Sequence, residues 1–321
     1  MDLVDKTPSD AASMPRLDQT AVIVLTLDAE AFLPAVFSSL RALPNAPRKV
    51  LFVDSSSTDH TAALVKAAGF ELHVIGRSEF GHGRTRNLAA FLCADCEFLV
   101  YLTQDAVPQG EDWLPRLIAP FESAPVALVY GRQLPRPNAE LSERYAREFN
   151  YPAAPDRSDE SDIARRGIKA IFCSNSFAAY RHAALKEVGG FPEHLPMGED
   201  MAVALRLLQR GYARFYAADA CAIHSHGYSM REEFKRYFDI GTLMSLDAEL
   251  SRARVAASGE GLRFLGGELT RVGGVKRPFA ASSVLLRTAA KFVGFSFGQR
   301  YRLFPRSVRR QMSMHSYFWR A

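Results

Sequence analysis

Short apolar runs alternate with helix-like stretches over the first hundred residues of this chain. Apolar runs at 21–25, 49–53, 71–75 and 97–102 predict four short strands, since each run ends in polar residues. Between them, apolar residues recur at helical spacing, and Gly69 fits the end of the second helix. This β-α-β-α-β-α-β alternation predicts an α/β fold with a doubly wound, mostly parallel sheet.

Polar side chains stand directly after three of these strands. Thr26 and Asp28 follow the first strand, Asp54 follows the second, and Gln104 and Asp105 follow the fourth. Because the carboxyl ends of parallel strands share one edge of a sheet, we expect a ligand site there. Carboxylates and hydroxyls at strand ends also make turns and cap helices, so position alone leaves both interpretations open.

The second half of the chain has a less regular pattern. It predicts strands at 126–133, 168–180, 213–216 and 220–224, a helix that begins at Gly198–Asp200, and mainly helices from 230 onward. The polar stretch 135–166 predicts an insertion or mobile loop over the site, with a helical piece at 140–149.

Two groups of charged residues suit the binding of a diphosphate. Asp105 can hold Mg²⁺ or Mn²⁺, because one carboxylate suffices when phosphate oxygens and waters complete the coordination. Arg84 and Arg86 stand where a helix begins, which is a favourable place for a cation that faces a diphosphate. Ordinary surface arginines are the alternative interpretation.

Acid–base chemistry is suggested by Glu199 and Asp200, at a predicted helix start. An Asp there can serve as a general base, although the helix dipole favours acidic residues at this position regardless of function. His224 and His226 follow a short strand and can bind a metal, bind a phosphate or sit as buried polar residues.

Charge is unevenly distributed along the chain. The net charge is +5, yet residues 271–321 contain eleven Lys/Arg and no Asp/Glu, so the remainder carries 29 basic and 35 acidic residues. The four cysteines do not make a disulfide framework in 321 residues. No apolar run reaches the about 20 residues that span a bilayer, and residues 1–19 lack the apolar segment of a secretory signal.

The motifs together resemble those of the family 2 glycosyltransferases, which have the GT-A fold. The motif Asp54–Asp59 resembles the family's nucleotide motif, Gly83–Asn87 its Arg-Asn segment, and Gly198–Asp200 its Glu-Asp base motif. Four further motifs resemble bacterial rhamnosyltransferases that use dTDP-L-rhamnose: Leu102–Ala106, Gly131–Pro135, Phe149–Pro152 and Ser174–Ser176. The general family motif is Asp-x-Asp, whereas this chain has Gln104-Asp105-Ala106 and so lacks one carboxylate.

The resemblance implies an inverting glycosyltransferase, with a role for each matching residue. We expect the nucleotide sugar to be bound by Thr26, Asp28, Asp54, Ser56, Arg84, Arg86, Gln104 and Asp105. We expect Asp105 and His224 to bind Mg²⁺ or Mn²⁺, and Asp200 with Glu199 to be catalytic. Asn175 and His226 are candidate contacts to the acceptor or to a phosphate. The implied donor is dTDP-L-rhamnose, and the implied acceptor is a surface polysaccharide or lipid-linked glycan.

Three segments are expected along the chain: a flexible N-terminus at 1–19, a GT-A domain at 20–230 and a helical, basic C-terminal extension at 231–321. Basic and aromatic residues alternate in the last thirty residues, which fits either a helical lid packed on the body or attachment to an anionic membrane. We therefore expect a cytoplasmic protein, attached peripherally to the inner face of the membrane under the second interpretation. No nucleic-acid motif accompanies the basic residues, so no nucleic-acid partner is expected.

Other functions remain alternatives at this point. A UDP- or GDP-sugar donor would keep the same fold and reaction. A nucleotidyltransferase needs an early glycine-rich loop with a basic residue, and residues 21–35 contain neither. A non-catalytic sugar-nucleotide-binding scaffold fits the incomplete Asp-x-Asp motif, while the intact Glu199-Asp200 pair favours an enzyme.

Overall fold

The computed structural model describes residues 16–255 and 259–320. Most of the predicted flexible N-terminus, residues 1–15, lies outside the described residues. Next to it, Leu17–Gln19 forms a short 3-10 helix in which Leu17 is buried, and this turn leads directly into the first strand.

One mixed sheet organises the described part of the chain. Its strands are β1 (Thr20–Thr26), β2 (Lys49–Asp54), β3 (Glu71–Val74), β4 (Phe98–Thr103), β5 (Val107–Gln109), β6 (Val126–Leu134), β7 (Asp156–Ser158), β8 (Phe177–Arg181) and β9 (Ala213–Ile223). They lie in the order β3-β2-β1-β4-β8-β6-β9-β5, and β7 pairs with β9.

Helices cover both faces of this sheet and form the C-terminal part. They are α1 (Leu33–Arg41), α2 (Thr61–Ala67), α3 (His82–Leu92), α4 (Trp113–Ile118), α5 (Leu141–Asn150), α6 (Glu160–Arg166), α7 (Ile168–Ile171), α8 (His182–Glu187), α9 (Glu199–Gln209), α10 (Met230–Leu246), α11 (Ala248–Val255), α12 (Glu260–Arg271), α13 (Pro278–Gln299) and α14 (Arg306–Met312). Further 3-10 helices are Ala119–Glu122, Gly274–Lys276, Tyr301–Leu303 and Ser316–Trp319.

The first four main strands are parallel, as the sequence predicts. β1 pairs with β2 and β4, and β2 pairs with β3, all in parallel. Successive residues of β1 enter opposite cores: Ile23 joins one buried cluster, and Val22 and Val24 join the other. The α/β class and the doubly wound, three-layer arrangement are therefore confirmed. The second half adds mixed pairing, since β8 lies antiparallel between β4 and β6, and β9 is parallel to β6.

Three predicted elements differ from the structure. The strand predicted at 168–180 is a short helix, α7, followed by the strand β8, because polar residues 174–176 form a turn between them. The two extended pieces at 213–216 and 220–224 are the single strand β9, which contains an irregularity opposite Gly131 and Arg132. Pro108, predicted in a loop, lies in β5 at the sheet edge, where a strand tolerates proline.

The predicted insertion at 135–166 contains α5, β7 and α6. Arg214 of β9 is buried beneath it, and its guanidinium donates to Oδ2 of Asp156 (2.9 Å) and to the Ser158 hydroxyl (2.9 Å). This segment is thus tied to the sheet by a buried charge with several partners.

The helices α10 and α13 pack closely enough for their backbones to touch. A Cβ atom on Gly294 would lie 2.3 Å from the carbonyl oxygen of Phe234, and one on Gly298 would lie 2.0 Å from that of Phe238. The spacing of these glycines, four residues apart, places both on one face of α13, in the pattern that brings helices into close contact. The rotation of α13 about its axis is therefore fixed.

The last described residues return to the body of the protein. Trp319 packs with Phe238 and Tyr301 in a small core of its own. The backbone N–H groups of Met314 and His315 donate to Oδ2 of Asp239 at 2.8 and 3.4 Å. Within the described residues, no helix is long and apolar enough to span a bilayer.

Candidate active site

The ends of β1 and β2 carry a set of hydrogen-bonded polar residues. The Thr26 hydroxyl donates to Oδ1 of Asp54 (3.0 Å), and the Ser57 backbone N–H donates to Oδ2 (2.9 Å), so the buried Asp54 carboxylate is held at both oxygens. Ser56 has a left-handed backbone (φ 57°), and its hydroxyl donates to the carbonyl of Ile75 (2.7 Å). These contacts give the strand ends a fixed shape.

Asp28 lies beside this group in a more exposed position. Its φ is 50°, a conformation that Asp tolerates better than most residues. Oδ1 accepts the Thr58 N–H (2.7 Å) and Oδ2 accepts the Arg77 guanidinium (2.7 Å). The backbone N–H of Thr58, with further help from Arg77, lowers the pKa of Asp28, so this carboxylate is charged at neutral pH.

Gln104 joins the ends of β1 and β4. Its Oε1 accepts the Leu27 N–H at 2.7 Å and its Nε2 donates to the Leu27 carbonyl at 3.0 Å. The side-chain amide therefore makes both hydrogen bonds to the backbone of Leu27, as a neighbouring strand would. It fixes the position of the next residue, Asp105, against the end of β1.

Asp105, His224 and His226 form a cluster of three possible metal ligands. Oδ2 of Asp105 lies 3.5 Å from Nε2 of His224 and 3.4 Å from Nε2 of His226, and the two Nε2 atoms are 3.1 Å apart. The sheet brings them together, because Val107 of β5 pairs with Ile223 at the end of β9. No other such cluster occurs among the residues that the structure describes.

This triangle fits a divalent metal ion. Ligand atoms bound at right angles about 2.1 Å from an ion lie about 3 Å from one another. Nδ1 of His224 is 2.8 Å from Oε1 of Gln133, and Arg147 donates to the same oxygen (2.7 Å). Since that oxygen only accepts, the His224 proton lies on Nδ1 and leaves the Nε2 lone pair directed at the cluster.

Two of these groups, His226 and Asp105, have the protonation states that metal binding needs. Burial, with the neighbouring His224, lowers the pKa of His226 to about 4, so its imidazole is neutral at pH 7. Burial alone would raise the pKa of Asp105, but its contacts with His224, His226 and Thr103 bring it well below its usual range. The carboxylate is therefore ionised.

Glu199 and Asp200 are the first two residues of α9, and hydrogen bonds of the turn at 174–176 connect them to the end of β4. The Thr103 N–H, close to Asp105, donates to the carbonyl of Ser176 (3.3 Å), and the Asn175 N–H donates to Oδ2 of Asp200 (3.2 Å). The turn at 174–176 thus links the two acidic sites. Asn175, which the sequence suggests as a contact to the acceptor or to a phosphate, therefore orients Asp200 through its backbone N–H.

The two carboxylates at the start of α9 have opposite electrostatic surroundings. Glu199 is buried, lies 3.2 Å from the Arg86 guanidinium and accepts the Asn175 side-chain amide (3.0 Å). Burial disfavours its charge, but Arg86 lowers the pKa of Glu199 below its ordinary value. Burial, and then the charge of Glu199, raise the pKa of Asp200 to about 7. Such a pair supplies one permanent charge and one proton acceptor near neutral pH.

The two arginines of α3 occupy different positions. Arg86 is buried and pairs with Glu199, so its charge serves the acidic pair. Arg84 is exposed two residues earlier. A contact between either arginine and a diphosphate stays a prediction.

Residues from the C-terminal end complete the surroundings of Glu199. The Tyr317 hydroxyl donates to the carbonyl of Pro196 (3.1 Å) and accepts the backbone N–H of His82. His82 is half-buried and packs against Phe80, Arg86 and His315, and desolvation lowers its pKa to about 4. Tyr317 thus holds the loop that leads into Glu199.

Sequence reasoning missed four residues of this site: Gln133, Arg147, His82 and Tyr317. Gln133 lies in the 131–135 segment that resembles rhamnosyltransferases, but the resemblance gives it no role. Nothing in the local sequence marks Tyr317, because its partner Pro196 is 121 residues away.

The fold agrees with that of solved glycosyltransferases. The chain superimposes on a mannosyltransferase, PcManGT of Pyrobaculum calidifontis solved with GDP-Man and Mn²⁺, with a TM-score of 0.57 and 18% identity over 94% of this chain and 84% of that one. It also superimposes on S. aureus TarS 1–349 solved with UDP-GlcNAc, with a TM-score of 0.53 and 18% identity over 89% of this chain and 92% of that one. The predicted GT-A fold is confirmed.

Sequence comparison then defines the family. Residues 21–189 match the family described as glycosyl transferase family 2. The O-antigen chain rhamnosyltransferase WbaN of Salmonella anatum is 39% identical over 88% of this chain and 90% of its own length. The O-antigen chain rhamnosyltransferase RfbN of Salmonella typhimurium is 37% identical over 93% of this chain and 95% of its own length. The chain therefore belongs to glycosyl transferase family 2 and is a glycosyltransferase, as predicted.

Proposed function

We propose that this enzyme transfers L-rhamnose from dTDP-L-rhamnose to a hydroxyl group of a growing surface polysaccharide or lipid-linked glycan, with inversion at the anomeric carbon. The observation that supports it most is the neighbouring placement of the Asp105 cluster and the Asp200 carboxylate at one edge of the sheet. The relatives named as O-antigen chain rhamnosyltransferases support rhamnose as the sugar.

The donor would lie along the ends of β1, β2 and β4. The nucleoside would contact the Thr26, Asp28, Asp54 and Ser56 group, while Asp105, His224 and His226 would hold Mg²⁺ or Mn²⁺. When bound there, such an ion would supply positive charge to the departing diphosphate. The Mn²⁺ in the solved mannosyltransferase agrees with this choice of metal. Gln104 keeps Asp105 in place, and Arg84 and Arg86 remain candidate cations near the phosphates.

Asp200 would accept the proton of the attacking hydroxyl. Its pKa of about 7 means that a substantial fraction is ionised at neutral pH while the carboxylate is still a competent base. The N–H groups of Asn175 and Met201 each donate to one of its oxygens (3.2 and 2.8 Å), so the carboxylate is oriented before the acceptor binds. Burial, and then the charge of Glu199, keep the pKa of Asp200 raised. Inversion requires no covalent intermediate on the enzyme.

The acceptor side of the proposal includes peripheral association with an anionic membrane through residues 271–321. A lipid-linked glycan is anchored at such a surface, and this segment carries eleven basic and no acidic residues.

The donor assignment can be tested with purified protein, Mn²⁺ and a panel of nucleotide sugars. Of the panel, we expect only dTDP-L-rhamnose to be hydrolysed, at a slow rate, and only this sugar to protect the protein against thermal unfolding. Asp105→Ala should lose both effects, while Asp219→Ala, which removes an exposed carboxylate of β9, should keep them. A selective response to a UDP- or GDP-sugar would refute the donor, and no response to any sugar would favour a non-catalytic scaffold.

A further inference from the structure

The outward face of α13 is apolar over the whole length of a 22-residue helix. Its most exposed large side chains are Phe279 (90% exposed), Phe292 (72%) and Leu286 (57%), and Leu285, Val293 and Phe297 continue the same face. The remaining exposed positions are the small residues Ser282, Ser283 and Ala289, with Pro278 and Gln299 at the two ends of the helix. At 1.5 Å per residue this face is about 33 Å long.

The charged residues of α13 point the opposite way. Arg287 and Lys291 are the charged residues within its bounds, and both face the protein. Their cations lie 3.6 and 3.4 Å from Oε1 of Glu233, and Arg287 also donates to the carbonyl of Tyr228 (2.7 Å). A surface helix of a soluble protein normally places its apolar side inward and its charges outward. Here the arrangement is reversed.

The helix cannot turn to hide this face. Gly294 and Gly298 bring its backbone against the carbonyl oxygens of Phe234 and Phe238 in α10, where any rotation would replace a glycine by a larger side chain. The apolar face is therefore a permanent part of the surface of the described structure.

Exposed cations stand at both ends of this face. Lys276 and Arg277 precede α13, and Arg300, Arg302 and Arg306 follow it, all of them exposed. The salt bridges found among the described residues include none of these five side chains. With no acidic residue between 271 and 321, the face and its two ends complement a surface that is apolar within and negatively charged outside.

We infer that α13 lies in the plane of an anionic membrane, with Phe279, Leu286 and Phe292 inserted below the lipid headgroups and the flanking cations bound to lipid phosphates. The contact surface is then α13, while the aromatic residues Tyr301 and Trp319 of the basic tail are buried in their own core. This inference rests on the proposed membrane partner and assigns the surface that meets it.

The position of α13 also connects the membrane to the catalytic edge. Tyr228, whose carbonyl accepts the Arg287 guanidinium, stacks on His226 with ring centroids 5.3 Å apart. A helix lying on the bilayer would thus keep the candidate metal site a few side chains from the lipid surface. A lipid-linked acceptor would reach the site without leaving the membrane.

Vesicle flotation of the full chain tests this assignment. The probe is vesicles of phosphatidylethanolamine with phosphatidylglycerol, compared with phosphatidylcholine alone. We expect binding to the anionic vesicles, and at least a tenfold lower partition coefficient for the triple variant Phe279→Ser, Leu286→Ser, Phe292→Ser. Its matched control, Val74→Ser with Phe91→Ser, removes exposed apolar side chains of β3 and α3 and should bind as the wild type does.

Two additional measurements separate the possible results. Hydrolysis of soluble dTDP-L-rhamnose should be unchanged in the triple variant, so failure of the donor assignment and failure of the membrane surface are seen independently. Phe292→Trp should show a fluorescence change that brominated lipid quenches, because the native Trp113 and Trp319 are buried. Unchanged flotation of the triple variant would overturn the inference. If the wild type is a dimer and the triple variant is a monomer that floats as the wild type does, the apolar face binds a second copy of the chain and the inference is also overturned.

Discussion

Replacing Asp200 by Asn keeps the shape of the proposed general base while removing its ability to ionise. Asn resembles the protonated acid, with one acceptor oxygen for the N–H groups of Asn175 or Met201. Two effects are expected together: loss of turnover and a gain in stability at neutral and alkaline pH. A purely structural role for Asp200 would not produce this combination.

The size of the stability effect follows from the raised pKa. A change from the ordinary value of 3.8 to about 7 in the folded state corresponds to about 4 kcal/mol against the ionised form. Asp200 keeps a partly exposed edge, so solvent screening reduces the figure, and we expect about 2 kcal/mol. The folded protein holds more protons than the unfolded chain between about pH 4 and 7, so the wild type loses stability as the pH rises through this range.

The Asn variant has no such loss, because its side chain does not titrate. Its advantage over the wild type should be absent below about pH 4, grow up to about pH 7 and then remain constant at about 2 kcal/mol, or about 3 °C in melting temperature for a chain of this length. Turnover should fall about 10²- to 10⁴-fold, with donor binding retained.

Thermal unfolding at pH 4 and pH 8, with glycosyl transfer measured on the same preparations, checks the prediction. Asp219→Asn, at an exposed position of β9, is the matched control and should show neither effect. Equal stability of the variant and the wild type at pH 8 would refute the raised pKa. Retained turnover would refute the role of Asp200 as the base.

Two further changes probe the partners of the proposed base and of the candidate metal ligands. Glu199→Gln should move the acid limb of the pH–kcat profile to lower pH by about one unit. The change is modest because burial contributes more than Glu199 does to the raised pKa of Asp200. An unchanged acid limb would contradict an effect of the Glu199 charge on Asp200. Gln133→Leu should weaken Mn²⁺ binding about 10- to 100-fold by freeing the His224 ring. Manganese titration measures this, and Gln109→Leu, whose amide donates only to carbonyls of its own strand, is the control that should not change.

The sequence predicted the parallel half of the fold because each of its strands is a short apolar run that ends in a polar residue. The same logic placed Asp54 and Asp105 at one edge of the sheet. Local periodicity could not predict that β8 runs antiparallel between β4 and β6, since this depends on contacts between distant segments. It also could not separate α7 from β8, because both are apolar and short.

Partners within the site were harder to predict than the site residues themselves. Arg86 was expected to face a diphosphate, and its contact with Glu199 spans 113 positions that no motif connects. The inward direction of Arg287 and Lys291 was equally hidden, since helical spacing shows that two cations share a face without showing which way the face points. Only packing of α13 against α10 decides that direction.

The contact between Tyr317 and Pro196 has a consequence for how the protein is made. The loop before Glu199 is synthesised 121 residues earlier than the side chain that holds it. At about 5–20 residues per second, a ribosome needs about 6–24 s to cover that distance. The parallel half of the sheet can fold during this time, so the loop before Glu199 stays without this hydrogen bond until the last residues of the chain emerge.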